Sequence, residues 1–136
     1  MSSLRRRPNR LDLRDGSPMV LLMRDRDELY ARIAQRARAM LSAGLLTEVE
    51  RLLAAGLRPN CPAFESIGYS ELAAVLRLEV SLEEATEAFI RRTRRYAKRQ
   101  ITWFRNRYQG VRVVTVLAGE EPGKTASRVQ RVCRIH

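Results

Sequence analysis

Hydrophobic residues recur with a helical period over most of the chain. Over residues 27–41 they fall on one face, and over residues 46–53 the same pattern repeats. Gly44 and Gly56 follow these two runs, at positions where a glycine commonly ends a helix. The pattern therefore predicts two consecutive amphipathic helices.

The second half of the chain is predicted to hold the longest helix. After a proline-containing loop at residues 57–63 and a short helix at about residues 70–78, a helical pattern runs from 81 to about 107. Ser81 and Glu84 have the spacing of a capping box at its start. We therefore expect one long helix here, preceded by a short one.

Two short apolar runs are the candidates for β-strands. Residues 19–23 read as one buried strand, and residues 111–117 are rich in β-branched side chains. Residues 1–18 are polar and basic and predict a tail or loop, whereas residues 119–123 predict a turn before a terminal helix from Thr125. The expected fold is mainly α with one or two short β-strands, in a chain whose residues 19–136 form one helical part.

Composition adds a strong positive charge to this picture. The chain has 26 Lys and Arg against 15 Asp and Glu, a formal net charge of +11. Such a charge favours polyanions, with nucleic acid the first candidate and an anionic membrane surface the second. Almost all the basic residues are arginine, whose planar fork suits phosphate and stacks on bases, so nucleic acid is favoured. A GC-rich genome is the alternative explanation for the scattered arginines.

Cysteine and histidine usage argues against several classes of protein. Cys61 and Cys133 share no short spacing and His136 is the single histidine, which excludes a structural zinc site of ordinary spacing and makes a disulfide framework unexpected. No apolar run approaches the length of a membrane span, and none follows the N-terminal arginines as a secretory signal requires. The expectation is a cytoplasmic protein without a membrane partner.

The predicted long helix concentrates positive charge on one side. At 100° per residue, seven cations fall within about half the circumference, and no acidic residue lies between Glu87 and Glu120. We predict that this side contacts nucleic acid rather than remaining a solvated face. Tyr96, Trp103 and Phe104 fall on the other side and are predicted to pack into the core, although Tyr96 and Trp103 also suit stacking on unpaired bases. The seven cations are Arg91, Arg92, Arg94, Arg95, Lys98, Arg99 and Arg105.

Four segments occur in an order and at spacings that carry a family resemblance. They are residues 30–36, with two arginines around an isoleucine, the Ile-Gly-Tyr turn at 67–69, the helix start at 81–85 and the basic segment at 94–105. Together they resemble the C-terminal part of the tRNA dimethylallyltransferases, over about residues 20–117. The resemblance implies the C-terminal portion of an α/β phosphate-loop-type transferase.

The resemblance also implies an activity. The family transfers a dimethylallyl group from dimethylallyl diphosphate to N6 of the adenosine beside the tRNA anticodon, with Mg²⁺. By resemblance, the partners are the anticodon stem-loop of tRNA and the prenyl diphosphate, and this chain supplies tRNA contacts and part of the diphosphate site. The family's phosphate loop and acidic general base have no counterpart before Val20, and residues 1–18 match no family segment. We therefore expect that this chain alone binds no cofactor and performs no catalysis. The chain is expected to be a monomer or to be completed by a missing N-terminal half.

The resemblance carries over to individual residues. Arg36 matches an arginine that holds the diphosphate of the prenyl donor, a catalytic contact for which a bidentate cation is suited; without the resemblance it is an exposed helix arginine. No metal-ligating residue is expected. The residues that match tRNA contacts are Ser66, Ile67, Gly68, Tyr69, Arg95, Lys98, Arg99, Gln100, Thr102 and Arg105.

A candidate phosphate-binding motif near the end of the chain is rejected as a functional site. Residues 118–125 fit a loose phosphate-loop pattern after a predicted strand, but the first position is alanine and two glutamates in the loop would repel phosphate.

Two alternatives to the transferase stay open. One is a stand-alone RNA-binding helical protein derived from such an enzyme without catalysis, and the other is a membrane-surface or generic basic helical protein.

Overall fold

The computed structural model describes residues 19–58, 61–108 and 111–134, and these residues are mainly helical. The predicted fold class, mainly α with one or two short strands, is confirmed, and the described residues contain two strands. The predicted tail at residues 1–18 lies outside the described residues. The elements are β1 (Val20–Arg24), α1 (Arg26–Ser42), α2 (Leu45–Ala54), a 3-10 helix (Pro62–Glu65), α3 (Tyr69–Leu76), α4 (Leu82–Arg107), β2 (Arg112–Val116) and α5 (Pro122–Arg134).

The ends of the helices follow local chemistry. Asp25 precedes α1, and its carboxylate accepts hydrogen bonds from the backbone N–H groups of Asp27 at 2.9 Å and Glu28 at 3.1 Å. This N-cap was not predicted. Its backbone hydrogen bonds, above all that from Glu28, lower the pKa of Asp25. The predicted capping box of α4 is confirmed, since Ser81 Oγ accepts from the Glu84 N–H at 3.2 Å and Glu84 accepts from the Ser81 N–H at 2.8 Å.

The last helix differs most from its prediction. It begins at Pro122, three positions before the predicted start at Thr125. Proline suits the first turn of a helix because its backbone has no N–H to leave unsatisfied and its φ is already helical. The turn signal of Pro122 and Gly123 therefore marked the first turn of α5 and not a loop.

The chain divides into two compact units. The helical unit is Leu29–Ala97, and the strand unit combines the described residues before Leu29 with those after Ala97. Helices α1 and α4 contribute residues to both units. The core of the helical unit is formed by Ala34, Ala37, Leu45, Val49, Leu72, Ala73, Ala85, Phe89 and Ile90.

The strand unit contains a parallel pair of strands. Val20 is in register with Arg112, and the pairing continues to Arg24 and Val116. Helix α5 is tied to β2, because the Arg112 guanidinium donates to the Val132 carbonyl. Arg128 Nη1 likewise donates to the Thr115 carbonyl at 2.9 Å. These bonds join the last two elements of the chain into one layer of the unit.

Candidate nucleic-acid interface

Residues 66–70 form the turn that leads into α3, within the helical unit. Ser66 is exposed and Gly68 is buried. Gly68 has a φ of 103°, in a region that side-chain-bearing residues avoid. A Cβ at this position would lie 3.2 Å from Cζ of Phe89. Both the backbone conformation and the available space therefore require glycine at the centre of the turn.

The turn is held in place by an arginine of α4. Arg92 Nη1 donates to Ser70 Oγ at 2.6 Å and to Glu71 Oε1 at 3.2 Å, and Nη2 donates to the Glu65 carbonyl at 2.7 Å. Glu71 Oε2 accepts from the Gly68 N–H at 2.9 Å and from Ser70 Oγ at 2.8 Å. Glycine has no side chain to accept a hydrogen bond, so the bond from the Gly68 N–H to Glu71 is the one half of a capping box that can form here. The backbone on both sides of Gly68 is thus fixed by one ion pair.

The carboxylate of Glu71 is kept ionised by these contacts. Burial is the largest influence on its pKa and raises it. Hydrogen bonds from its own N–H, from Ser70, from the Gly68 N–H and from Arg92 together outweigh burial, so the pKa of Glu71 is lower than its ordinary value. The side chain of Glu71 is 11% exposed, against 34% for Arg92, so the pair is mostly removed from solvent.

Tyr69 connects the same turn to α2. Its hydroxyl donates a hydrogen bond to Glu48 Oε1. That hydrogen bond is the main reason why the pKa of Tyr69 is raised, with smaller effects from burial and from the charge of Glu48. The predicted tRNA-contacting segment at 66–70 is therefore a braced turn, anchored to α2 by Tyr69 and to α4 by Arg92.

The seven cations predicted as one polyanion-facing side of α4 divide into two groups. Arg92 is engaged with the turn. Arg94 lies with its Cζ 5.0 Å from the centre of the Tyr30 ring, a cation–π contact between α1 and α4. These two arginines have partners within the chain, which residue spacing could not reveal, because it places a side chain on a side of the helix but does not show what another element brings to it.

The other group is exposed. Arg91, Arg95, Lys98 and Arg99 are open to solvent, and within the described ranges none of them forms an ion pair. Arg105 is also exposed, with its Nη2 3.8 Å from Met23 Sδ in the strand unit. These cations therefore keep their charge uncompensated by any carboxylate that the structure describes.

The two neutral residues of the predicted tRNA segment differ. The Thr102 hydroxyl donates to the Lys98 carbonyl at 3.0 Å and lies one turn after Lys98 on the same side. Gln100 is exposed, but residues two apart on a helix do not face the same way. Thr102 thus shares the side of Lys98, and Gln100 does not.

The predicted packing of the aromatic residues of α4 is wrong. Tyr96 is 46% exposed, Trp103 50% and Phe104 36%. The buried positions of α4 are Ala85, Phe89 and Ile90, all in its first half. Among the described residues, the core covers only this first part of the helix. The aromatic side chains further along therefore remain at the surface.

Arg36 lies on α1 between two core residues, Ala34 and Ala37, and points outward. Within the part of the chain that the structure describes, its guanidinium has no hydrogen bond or ion pair to another residue. Its fork is thus available to an anion such as a diphosphate.

The loop at residues 118–125 is filled by its own carboxylate. Glu120 accepts hydrogen bonds from the Leu117 N–H at 3.1 Å and Thr125 Oγ1 at 3.0 Å. Arg128 Nη1 lies 3.0 Å from the same carboxylate. The pKa of Glu120 is lowered by the Leu117 hydrogen bond first, so the carboxylate is ionised where a phosphate would have to bind. This geometry supports the rejection of the loop as a phosphate site.

The described residues show neither a clustered metal site nor a membrane span. These residues contain no group of three or more His, Cys, Asp or Glu side chains placed to hold a metal ion. Within 19–58, 61–108 and 111–134, no helix has both the length and the apolar composition to cross a membrane.

Comparison with known proteins decides the family. The model of the family described as IPP transferase matches residues 1–107. The chain belongs to the IPP transferase family. The match includes residues 1–18, so the expectation that this stretch has no counterpart in the family was wrong.

Individual IPP transferase relatives agree with this result. The chain is 51% identical over 92 residues to the tRNA dimethylallyltransferase of Alkaliphilus oremlandii, covering 68% of this chain and 29% of the relative. It is 49% identical over 98 residues to that of Exiguobacterium sibiricum, covering 72% and 31%. The chain thus spans about three tenths of the length of these relatives.

Solved IPP transferase structures share the fold. The full-length tRNA isopentenylpyrophosphate transferase of Bacillus halodurans superposes with a TM-score of 0.76 at 36% identity, covering 85% of this chain and 37% of that one. The Staphylococcus epidermidis tRNA delta(2)-isopentenylpyrophosphate transferase gives a TM-score of 0.73 at 31% identity, covering 84% and 36%. The chain therefore folds as a part of an IPP transferase.

Sequence reasoning missed the pair that orders the turn of this IPP transferase chain. Arg92 was counted with the cationic side, and Glu71 was not singled out. One signal was present, because Glu71 stands three residues after Gly68, the spacing at which a helix N-terminus receives a returning carboxylate. No sequence signal links Arg92 to a turn more than twenty residues away.

Proposed function

We propose that this chain is the tRNA-binding portion of an enzyme that transfers a dimethylallyl group from dimethylallyl diphosphate to N6 of the adenosine beside the tRNA anticodon. The relatives' names, tRNA dimethylallyltransferase and tRNA isopentenylpyrophosphate transferase, favour this over a stand-alone RNA-binding protein. The enzyme's Mg²⁺ and its phosphate loop belong, in this proposal, to parts of the enzyme other than the described residues.

One observation carries the proposal. Arg95, Lys98 and Arg99 are exposed cations on α4 without a carboxylate partner in the described parts of the chain. Arginines that serve the fold have partners, as Arg92 does. Uncompensated like charges on one helix repel each other, and phosphates would relieve this repulsion by releasing counterions on binding.

The remaining site residues have distinct roles in the proposal. The braced turn of Ser66, Ile67, Gly68 and Tyr69 offers a fixed backbone at Gly68 to a tRNA loop. Thr102 and Arg105 extend the contacts along α4, and Gln100 reaches a different part of the RNA from the opposite side of the helix. Arg36 holds the diphosphate of the prenyl donor, where its cation stabilises the negative charge of the leaving group.

A tRNA titration at two salt concentrations tests the binding role. The double variant Arg95→Glu with Lys98→Glu is expected to weaken tRNA binding by more than tenfold at low salt. It should also reduce the slope of log affinity against log salt by about 1.5, since each phosphate contact contributes about 0.7–0.9. The double variant Arg51→Glu with Arg58→Glu changes the net charge equally at two exposed positions outside the site. Equal losses in both variants would refute a localised tRNA interface.

The role of Arg36 is tested in the enzyme that contains this chain. Arg36→Gln is expected to raise the KM for dimethylallyl diphosphate about tenfold or more while leaving tRNA affinity unchanged, because a charge-assisted contact to the donor is lost. Arg51→Gln, at an exposed position of α2, is the matched control. An unchanged KM in the Arg36 variant would remove this residue from the donor site.

A further inference from the structure

Trp103 occupies an unusual environment for the largest apolar side chain in the chain. It is the single tryptophan of the sequence, and 50% of it is exposed on α4. Its ring makes edge-on contacts with Phe104, with centroids 4.9 Å apart, and with Tyr108, with centroids 5.9 Å apart. These contacts orient the indole at the surface without burying it.

A groove adjoins this indole within the strand unit. Two neighbouring rows of α4 side chains, spaced four residues apart along the helix, line a solvent-open groove of about 390 Å³. Arg107 lies with its Cζ 5.8 Å from the centre of the Trp103 ring. The lining of the groove contains no carboxylate and consists of Lys98, Arg99, Thr102, Trp103, Asn106 and Arg107.

We propose that Trp103 is a stacking platform for one unpaired RNA base in this groove, while Lys98 and Arg99 hold the phosphates on either side. This rests on the proposed function, which supplies the RNA, and it adds a base-contacting residue to a row of phosphate-contacting ones. Exposed aromatic side chains beside cations form the combination with which proteins grip single-stranded RNA, since every base has a π face to stack.

The chemistry of the groove favours RNA over a protein occupant. Three cations and no carboxylate line it, which matches a polyanion. Thr102 and Asn106 add neutral hydrogen-bonding groups close to the indole, of the kind that reads the edge of a base. The anticodon loop presents unpaired bases, whereas the bases of a duplex stem are already stacked on one another.

The emission of the chain reports directly on Trp103, because no other tryptophan contributes. The unmodified chain is titrated with an anticodon stem-loop RNA, and binding is followed at the same time by the anisotropy of a dye on the RNA. We expect tryptophan emission to fall along the binding curve. Heparin, a polyanion without bases, should bind without this loss. Replacing loop nucleotides one at a time with abasic sites should abolish the emission loss at one position.

Variants measure the contribution of stacking. Trp103→Ala is expected to weaken RNA binding about tenfold, and Trp103→Phe to recover most of the loss, because a smaller ring still stacks. Tyr96→Ala removes another exposed aromatic side chain of α4 that does not line the groove, and should leave the affinity unchanged. The emission titration needs no variant, so it decides the matter even if Trp103→Ala fails to fold.

The outcomes separate the two proposals. RNA binding by anisotropy with unchanged emission, or an emission loss that heparin reproduces, overturns stacking and leaves the tRNA-binding role intact. Absence of RNA binding by anisotropy overturns both. RNA-specific emission loss that disappears with one abasic site supports both and identifies the stacked nucleotide.

Discussion

The turn at residues 66–70 and the last turns of α4 are both proposed to contact tRNA, yet they are built in opposite ways. In the turn, Arg92 and Glu71 bind each other and the backbone around Gly68. On α4, Lys98 and Arg99 extend into solvent without an ion pair in the described residues. One region offers a braced backbone, and the other offers exposed charge that is unpaired within the described ranges.

This difference shows how arginine serves two purposes on a single helix. Arg92 orders a neighbouring segment through three hydrogen bonds, whereas Arg95, three residues later, makes no such contact in the described structure. Substitutions in the turn should therefore change the free energy of unfolding. Substitutions at the end of α4 should change RNA binding and leave folding alone.

The largest effect is expected at the centre of the turn. Gly68→Ala should lower the free energy of unfolding by about 3 kcal/mol, because strain at positive φ adds to a clash with the Phe89 ring. Gly44→Ala is the matched control, since Gly44 has a φ of 100° but nothing within 4 Å of a Cβ. Gly44→Ala should lower the free energy of unfolding by only about 1 kcal/mol, from backbone strain alone. Urea denaturation measures both, and equal losses would mean that Phe89 does not restrict the turn.

A smaller loss is expected when the ion pair of the turn is broken. Arg92→Ala should lower the free energy of unfolding by about 1–2 kcal/mol, because it leaves the largely buried Glu71 carboxylate without its cation. The adjacent exposed Arg91→Ala should change it by less than about 0.5 kcal/mol. The comparison fails if urea denaturation gives the two variants the same midpoint.

The same pair predicts a modest pH dependence. Because the folded-state pKa of Glu71 is lower than its ordinary value of 4.5, its ionised form stabilises the fold fully above that value. This contribution is lost as pH falls below 4.5 through the folded pKa. Stability should therefore fall more steeply with acid in the unmodified chain than in Glu71→Gln. Denaturation midpoints between about pH 6 and pH 3 measure this, with the exposed Glu87→Gln as the control. Parallel curves for all three proteins would contradict it.

The smallest effect on folding is expected at the end of α4. Lys98→Ala should leave the unfolding free energy within about 0.5 kcal/mol of the parent, because the side chain is exposed. The same change should reduce the salt slope of tRNA binding by about 0.7–0.9. A stability loss as large as that of Arg92→Ala would show that the two regions are not built differently.

The parts that sequence predicted well are those decided by local chemistry. The spacing of Ser81 and Glu84 predicted the start of α4. Gly44 and Gly56, which both have positive φ, indicated the ends of two helices. Charge and motif spacing led to the family, which the comparisons confirm. The signals for the helix ends each lie within a few residues along the chain.

The parts that sequence could not predict depend on contacts between elements. The helical period placed Trp103 on the apolar side of α4, but the core covers only the part of the helix that carries Ala85 and Phe89. It likewise counted Arg92 as a free cation, because nothing near it in the sequence points to Glu71. A helical period therefore describes a face, and only packing decides what covers it.

The parallel pairing of β1 and β2 has a consequence for the order of folding. Every paired position joins residues 92 apart in sequence, such as Met23 and Thr115. Closing so long a loop costs chain entropy that only later contacts repay, whereas α2 and α3 form contacts over short separations. On a ribosome, β1 leaves the exit tunnel long before its partner exists. We therefore expect amides of α2 and α3 to gain protection in pulsed hydrogen exchange before those of β1.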